Sequence, residues 1–268
     1  MKKNSFSLLI LMLACFTFIV NKVNGQLPTN RKTVFLPGNI PVYFIRVEQG
    51  SFLMGTKLSE TGSQPDEAPQ HKVTISREFY LGQYEVTQSQ WQAVLGENPS
   101  VFKHNGISGD LPVEMVSWND IQLFLQKLNS FGIGIFRLPT EAEWEYACRA
   151  GGSDRFPWGN DPEYKFLGEY AWFYSRAEGK SHPVGQKKPN AWGLYDMQGN
   201  VWEWCVDWYG KYPADSITDP KGVEHGNEHI IRGGSWFNEP EALRSANRHR
   251  HPVDSRQTNI GFRLILEQ

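Results

Sequence analysis

Between Gly193 and Tyr209 four residues able to bind or carry charge, Asp196, Asn200, Glu203 and Asp207, are threaded among Tyr195, Trp202, Trp204, Trp208 and Tyr209. Aromatic side chains at that density belong in a core, where an unpaired carboxylate costs several kcal/mol. Such a carboxylate needs an arginine, backbone N–H groups or a hard cation. The side chains of Asp196 and Glu203, with the carbonyls of Gly199 and Val201, make an all-oxygen set of the kind calcium takes in flexible geometry. The simpler alternative is a metal-free turn in which hydrogen bonds hold the acids. Spacing alone leaves both open.

Two histidine patterns deserve the same weighing. His225-Gly-Asn-Glu-His229 matches an H-x-x-E-H string, which holds zinc only when both imidazoles lie one turn apart on a helix. Gly226 and Asn227 disfavour that helix, Pro220 and Gly222 lie just upstream, and a strand follows, so zinc is not expected. Arg248-His249-Arg250-His251 puts two imidazoles on one face if the segment is extended. Its arginines oppose a cation, and a solvated or anion-facing loop is the expectation. No Gly-x-Ser-x-Gly elbow, phosphate-binding loop or dinucleotide fingerprint occurs.

These groups need elements to position them. Val42–Val47 and Ser51–Gly55 have strand composition around a Glu48-Gln49-Gly50 turn and predict a hairpin. Residues 71–75 and 79–86 continue the β pattern. Three helix starts share a capping box, in which an N-cap Ser or Thr and the side chain three residues on satisfy each other's backbone N–H. They are Thr87 with Gln90, Ser117 with Asp120 and Thr140 with Glu143. Helices over about 88–95, 118–130 and 141–148 follow, the first ending at Gly96 and the third at Gly151. The chain is then irregular until the aromatic stretch. A short strand at 230–232 runs into Gly233-Gly234-Ser235-Trp236, and 260–266 reads as a closing strand that pairs with the N-terminal hairpin.

The 268 residues, 40% hydrophobic with ten Trp, 25 Gly and 16 Pro, suit one loop-rich domain pinned by aromatic clusters. Lys and Arg total 27 against 29 acids, with no basic cluster interleaved with aromatics, so nucleic acid is not an expected partner. Lys2 and Lys3 precede an apolar run from Phe6 to Val20, and small residues lie near Gly25. Residues 1–25 therefore read as a signal peptide, implying a periplasmic or extracellular protein. Lipidation at Cys15 is the lesser alternative, because Met12 fits its cleavage pattern poorly. No transmembrane segment is expected in the mature chain, which would start with a linker over 26–41 and continue as one domain over 42–268. Cys148 and Cys205 then remain, and two buried free thiols are the simplest reading.

Eight ordered motifs carry a family resemblance. They are Met54-Gly55-Thr56, Tyr84-Glu85-Val86-Thr87, the run Pro112 to Asp120, the run Arg137 to Tyr146, Phe156-Pro157-Trp158-Gly159, Gly199-Asn200-Val201-Trp202-Glu203-Trp204, Arg232-Gly233-Gly234-Ser235-Trp236 and Asn259-Ile260-Gly261-Phe262-Arg263. Together they resemble the formylglycine-generating enzyme, or sulfatase-modifying factor, family over about residues 42–266. The resemblance implies a single-domain α+β fold of low regularity, a variant of the C-type lectin fold. It implies a structural calcium on Asp196, Gly199, Val201 and Glu203. A second family calcium is not carried over, because Ala171, Gly179 and Lys180 depart from its pattern.

The family oxidises a substrate-peptide cysteine to formylglycine, using molecular oxygen and copper(I) held by two cysteines in the loop after Arg-Gly-Gly-Ser. Here that loop, Ser235 to Arg244, has Asn238 at the first position and no cysteine at all. A carboxamide cannot replace a thiolate toward copper(I), so copper is not expected and no catalytic residue is assigned. Cys148 matches a family cysteine that is disulfide-bonded, but its partner position falls near Ser245, so that bridge is not expected either. The reading is an exported family member acting as a ligand- or protein-binding module. An exported oxidoreductase acting without the thiol pair on a small molecule is the alternative, with sulfatase activation behind both. The expected ligand surface is Ser235, Trp236, Asn238, Arg244, Arg248 and Asn259, facing a small molecule, glycan or peptide, acidic if the arginines reach it.

Overall fold

The computed structural model describes residues 30–103 and 110–267. Residues 1–25, expected as a signal peptide, and with them Cys15, lie outside the described residues. In chain order the elements are β1 Arg31–Leu36, β2 Ile40–Val47, β3 Gly50–Met54, β4 His71–Ile75, β5 Phe79–Gly82, α1 Gln88–Leu95, α2 Trp118–Asn129 and β6 Phe136–Arg137. Then follow α3 Glu141–Arg149, α4 Leu167–Tyr170, β7 Trp202–Trp208, β8 Ile217–Thr218, β9 Glu228–Arg232, β10 Arg248–Pro252, β11 Ile260–Gly261 and β12 Ile265–Leu266. The strands form three sheets, ordered β1-β2-β5-β12-β6, β10-β9-β7-β11 and β3-β4-β8.

All three capping boxes form, with both halves of each present. They form because each joins residues three apart and needs nothing from the rest of the fold. Helix α1 ends on Gly96 in the left-handed conformation as expected, whereas α3 ends one residue before the expected Gly151, on Ala150 at φ 47°. Helices α1 and α2 close one apolar core, where Trp91 stacks on Phe124 at 4.9 Å and Phe262 meets both rings edge-on. Helix α3 closes a second core with Trp144, Tyr146 and Cys148 against Cys205, Ile230 and Ile265.

Three expectations are corrected. The segment expected to be a linker contains β1, antiparallel to β2 from Arg31 opposite Ile45 to Leu36 opposite Ile40. Val34 and Leu36 alternate into the core between solvent-facing residues. The expected hairpin is absent: β2 pairs with β1 and β5, while β3 pairs with β4 in a different sheet. The closing segment forms two short strands instead of one. β11 runs parallel to β7, and β12 inserts between β5 and β6, reaching the N-terminal sheet by a different partner.

Strand β7 lies between the two cores. Trp202 and Trp204 face α2, with Trp204 Nε1 donating to Val116 O at 3.1 Å, while Glu203, Cys205 and Asp207 face α3. Covered on both faces, it is buried from Trp202 through Cys205.

Candidate functional site

The acid-bearing stretch turns out to be a charge cluster. Asp196 and Asn200 take left-handed φ values of 54° and 57° around Gly199 at 79°. A Cβ on Gly199 would stand 2.1 Å from Trp172 O, so only glycine fits this crossing. The resulting turn brings Asp196, Asn200 and Glu203 against Glu85 and Arg263, all buried. Glu203 receives Arg263 Nε on Oε2 at 2.6 Å and Nη2 on Oε1 at 2.5 Å, and Oε2 also takes Trp144 Nε1 at 2.7 Å. Glu85 accepts Val201 N–H at 3.0 Å and Asn200 Nδ2 at 2.6 Å. Asp196 Oδ2 accepts Gly185 N–H at 2.7 Å, and its Oδ1 is buried without a partner.

Three carboxyl groups thus share one guanidinium. Burial, then the charges of Asp196 and Glu203, push Glu85 well above the usual carboxylate range, and burial pushes Asp196 up to about 6. Surplus negative charge and an orphaned Asp196 oxygen fit a bound cation. Glu203 is already engaged by arginine, which was one of the answers its sequence setting allowed. Among the described residues no three His, Cys, Asp or Glu side chains converge as a metal cage, so carbonyl oxygens would have to complete a calcium site. Glu85 was missed as part of this site, although it lies in an apolar β run between Tyr84 and Val86 as Glu203 lies between tryptophans.

The expected ligand surface divides in two. Ser235, Trp236, Asn238 and Asn259 come together: Ser235 Oγ donates to Asn238 Oδ1 at 2.6 Å and accepts Asn259 Nδ2 at 3.1 Å, and Trp236 Nε1 donates to Thr258 O at 3.2 Å. Arg244 and Arg248 depart from it. Arg244 is fully buried in a fork on Glu67, both contacts at 2.6 Å, and Arg248 is buried in a fork on Glu141 at 2.8 and 2.7 Å. Their charges are spent inside the protein, so an acidic ligand loses its expected partners. Three rings outside that expected set, Phe102, Phe237 and Tyr174, extend the surface instead. Phe102 meets Trp236 edge-on at 5.4 Å, Trp236 meets Phe237 at 5.5 Å, and Phe237 meets Tyr174 at 6.4 Å. Phe237 and Tyr174 are 59% and 58% exposed, forming an aromatic ledge beside the Ser235 network.

The thiols lie elsewhere. Cys148 and Cys205 are free and buried, and burial pushes Cys148 up to about 12 and Cys205 well above the thiol range. Cys148 accepts Gln198 Nε2 at 2.8 Å and faces Ser245. Asp207 carries the charge logic furthest: burial raises it to about 8 while its Oδ2 accepts the Glu141 N–H at the start of α3.

The H-x-x-E-H string forms no helix. His229 lies in β9 between Trp118 and Trp208, with centroids at 4.1 and 3.8 Å, and burial lowers it to about 4. Arg248 to His251, expected as a loop, is strand β10 antiparallel to β9. The reason is the buried Ile230-Ile231 pair opposite, whose strand offers a partner that an isolated polar sequence does not advertise.

Residues 39–268 match the sulfatase-modifying factor enzyme 1-like domain. The formylglycine-generating enzyme of Bos taurus is 30% identical over 292 residues, covering 85% of this chain and 75% of its own length. Among solved structures, Treponema denticola variable protein 1 superposes with a TM-score of 0.79 at 30% identity, covering 90% of this chain and 100% of that one. PvdO from Pseudomonas aeruginosa superposes at 0.77 with 32% identity, covering 88% and 98%. These likenesses bear out the single-domain α+β fold.

Proposed function

Because the chain belongs to the formylglycine-generating enzyme, or sulfatase-modifying factor, family and has Asn238 where the resemblance puts the first copper-binding thiol, we propose that it is an exported ligand-binding module. The observation that carries this reading is the aromatic ledge from Phe102 through Trp236 and Phe237 to Tyr174. Exposed rings in edge-to-face contact offer flat apolar area at low entropic cost, and fixed polar groups beside them orient what binds. Asn238 and Asn259 supply those groups, held in place through Ser235. A glycan or an extended peptide, with apolar faces and regularly spaced polar groups, suits such a surface better than an acidic ligand does.

Calcium has a structural part in this proposal. Asp196 Oδ1 and the carbonyls of Gly199 and Val201 would hold the ion, with Glu203 adding charge beside it. The ion would supply the positive charge that the Glu85, Asp196, Glu203 and Arg263 cluster is short of.

The copper-treated protein, incubated under air with a Cys-x-Pro-x-Arg peptide, should give no aldehyde by mass spectrometry, because both thiols are buried and pushed out of the reactive range. On a glycan and peptide array the protein should retain ligand, and W236A or F237A should release it. Multiple-turnover aldehyde formation, or array binding unchanged in both variants, would overturn the reading.

A further inference from the structure

Strand β10 carries a pair of imidazoles that the ledge does not use. Its residues alternate, so Arg248 and Arg250 leave one face and His249 and His251 the other. The arginines, expected from the sequence to oppose a cation, leave the face opposite the imidazoles and are ion-paired. Arg248 is forked on Glu141, and Arg250 Nε donates to Glu228 at 2.8 Å with its guanidinium 4.0 Å over the Tyr209 ring. The opposite face shows only imidazole. His249 and His251 have ring centroids 5.5 Å apart at an interplanar angle of 49°. Two imidazoles on one ion, each bound at about 2.0–2.1 Å near the tetrahedral angle, hold their centroids roughly 5 Å apart.

We propose that His249 and His251 form a two-histidine site for a late first-row divalent ion, Zn2+, Ni2+ or Cu2+. Several features prepare it. The Trp202 and Trp204 rings stand edge-on to the two imidazoles, at 5.8 Å from His249 and 6.4 Å from His251, and restrict their rotation. His251 Nδ1 lies 3.4 Å from Ser255 Oγ, which leaves Nε2 for an ion and orients the ring as an outer partner does in metal sites. His249 is exposed, so an ion reaches it from solvent. His229 lies opposite His251 in the strand register but is enclosed by Trp118 and Trp208, so it is not a third ligand. The set contains no carboxylate, which selects imidazole-preferring metals over calcium or magnesium and separates this site from the Asp196 cluster. Two protein ligands leave the remaining coordination positions to water or to a bound molecule.

The test uses the mature protein without a histidine tag, stripped with chelator and titrated with NiCl2 and CuCl2. Calorimetry should give one site per chain in the micromolar range, and Cu2+ should quench tryptophan fluorescence through Trp202 and Trp204. H249N or H251N should weaken binding at least tenfold and H249N/H251N should abolish both signals, whereas H225N, at an exposed histidine outside the pair, should change neither. The melting temperature of each variant checks its fold, and two-nitrogen hyperfine structure in the Cu2+ electron paramagnetic resonance spectrum of the wild type reports the ligands without mutation. Unchanged affinity in H249N/H251N, equal loss in H225N, no saturable binding, or a Cu2+ spectrum without imidazole nitrogen would overturn the proposal.

Discussion

Arg263 reaches Glu203 from sixty residues further along the chain and forks onto it at 2.6 and 2.5 Å, with both side chains fully buried. Arg263 also donates to Gly82 O at 3.0 Å and Tyr195 O at 3.1 Å, so one guanidinium ties β5, the acid-bearing turn, β7 and the segment before β12 together. The fork satisfies Glu203 but not its neighbours, since Glu85 and Asp196 share the same positive charge.

Calcium should therefore raise the melting temperature relative to chelator, and D196A should lose that response. Binding to the native state alone stabilises it by mass action, about 2.7 kcal/mol at a hundredfold excess over the dissociation constant. Because burial raises Asp196 to about 6, protons compete with the ion, and the calcium-induced shift should be larger at pH 7.5 than at pH 5.5. Glu203 is the wrong position for this test, since removing it strands Arg263. Equal melting temperatures in calcium and chelator would exclude the site.

The buried fork of Arg244 on Glu67 predicts a different signature. R244M should destabilise by about 3–5 kcal/mol because it leaves a carboxylate buried and unpaired. R244M/E67Q should recover most of that loss in denaturant melts, which a role for Arg244 in ligand binding alone would not produce.

What was legible in the sequence and what was not follows from chain distance. The capping boxes of α1, α2 and α3 join residues three apart, and the family motifs carried the fold with them. The pairing of β3 with β4, not β2, is decided by which edge each strand finds in space. Arg244 and Arg248 read as ligand arms for the same reason: their partners Glu67 and Glu141 lie 177 and 107 residues away, so in sequence they are charges in a polar loop. Of the candidate surface, Ser235, Trp236, Asn238 and Asn259 were legible through the motifs around them. Tyr174 was not, since it joins the ledge through a backbone hydrogen bond from its N–H to Asn238 O.

Acid should unfold the protein partly through His229. Burial lowers its folded pKa to about 4, below its ordinary 6.5, so its contribution is present in full above pH 6.5 and is lost as pH falls toward 4. H229F keeps a ring between Trp118 and Trp208 but loses the Nδ1 hydrogen bond to Asp207 O at 3.1 Å. At pH 7 it should cost about 1 kcal/mol. The drop in stability between pH 7 and pH 4 should be smaller than in the wild type by on the order of 1–3 kcal/mol. Parallel pH profiles for the two proteins would refute this role.

Ser245 is buried beside Cys148. The family resemblance puts the disulfide partner of Cys148 near Ser245. S245C should form that bridge when the protein folds under oxidising conditions. The bond has to form before α3 closes over it, because burial pushes Cys148 up to about 12 and leaves almost no thiolate in the folded state. Oxidised S245C should gain about 2–4 kcal/mol over its reduced form, since the crosslink restricts a long loop of the unfolded chain. In denaturant without reductant only Cys205 should react with a thiol reagent. If all the thiols react, or if the oxidised and reduced forms melt together, Ser245 is a neighbour of Cys148 without being in bonding position.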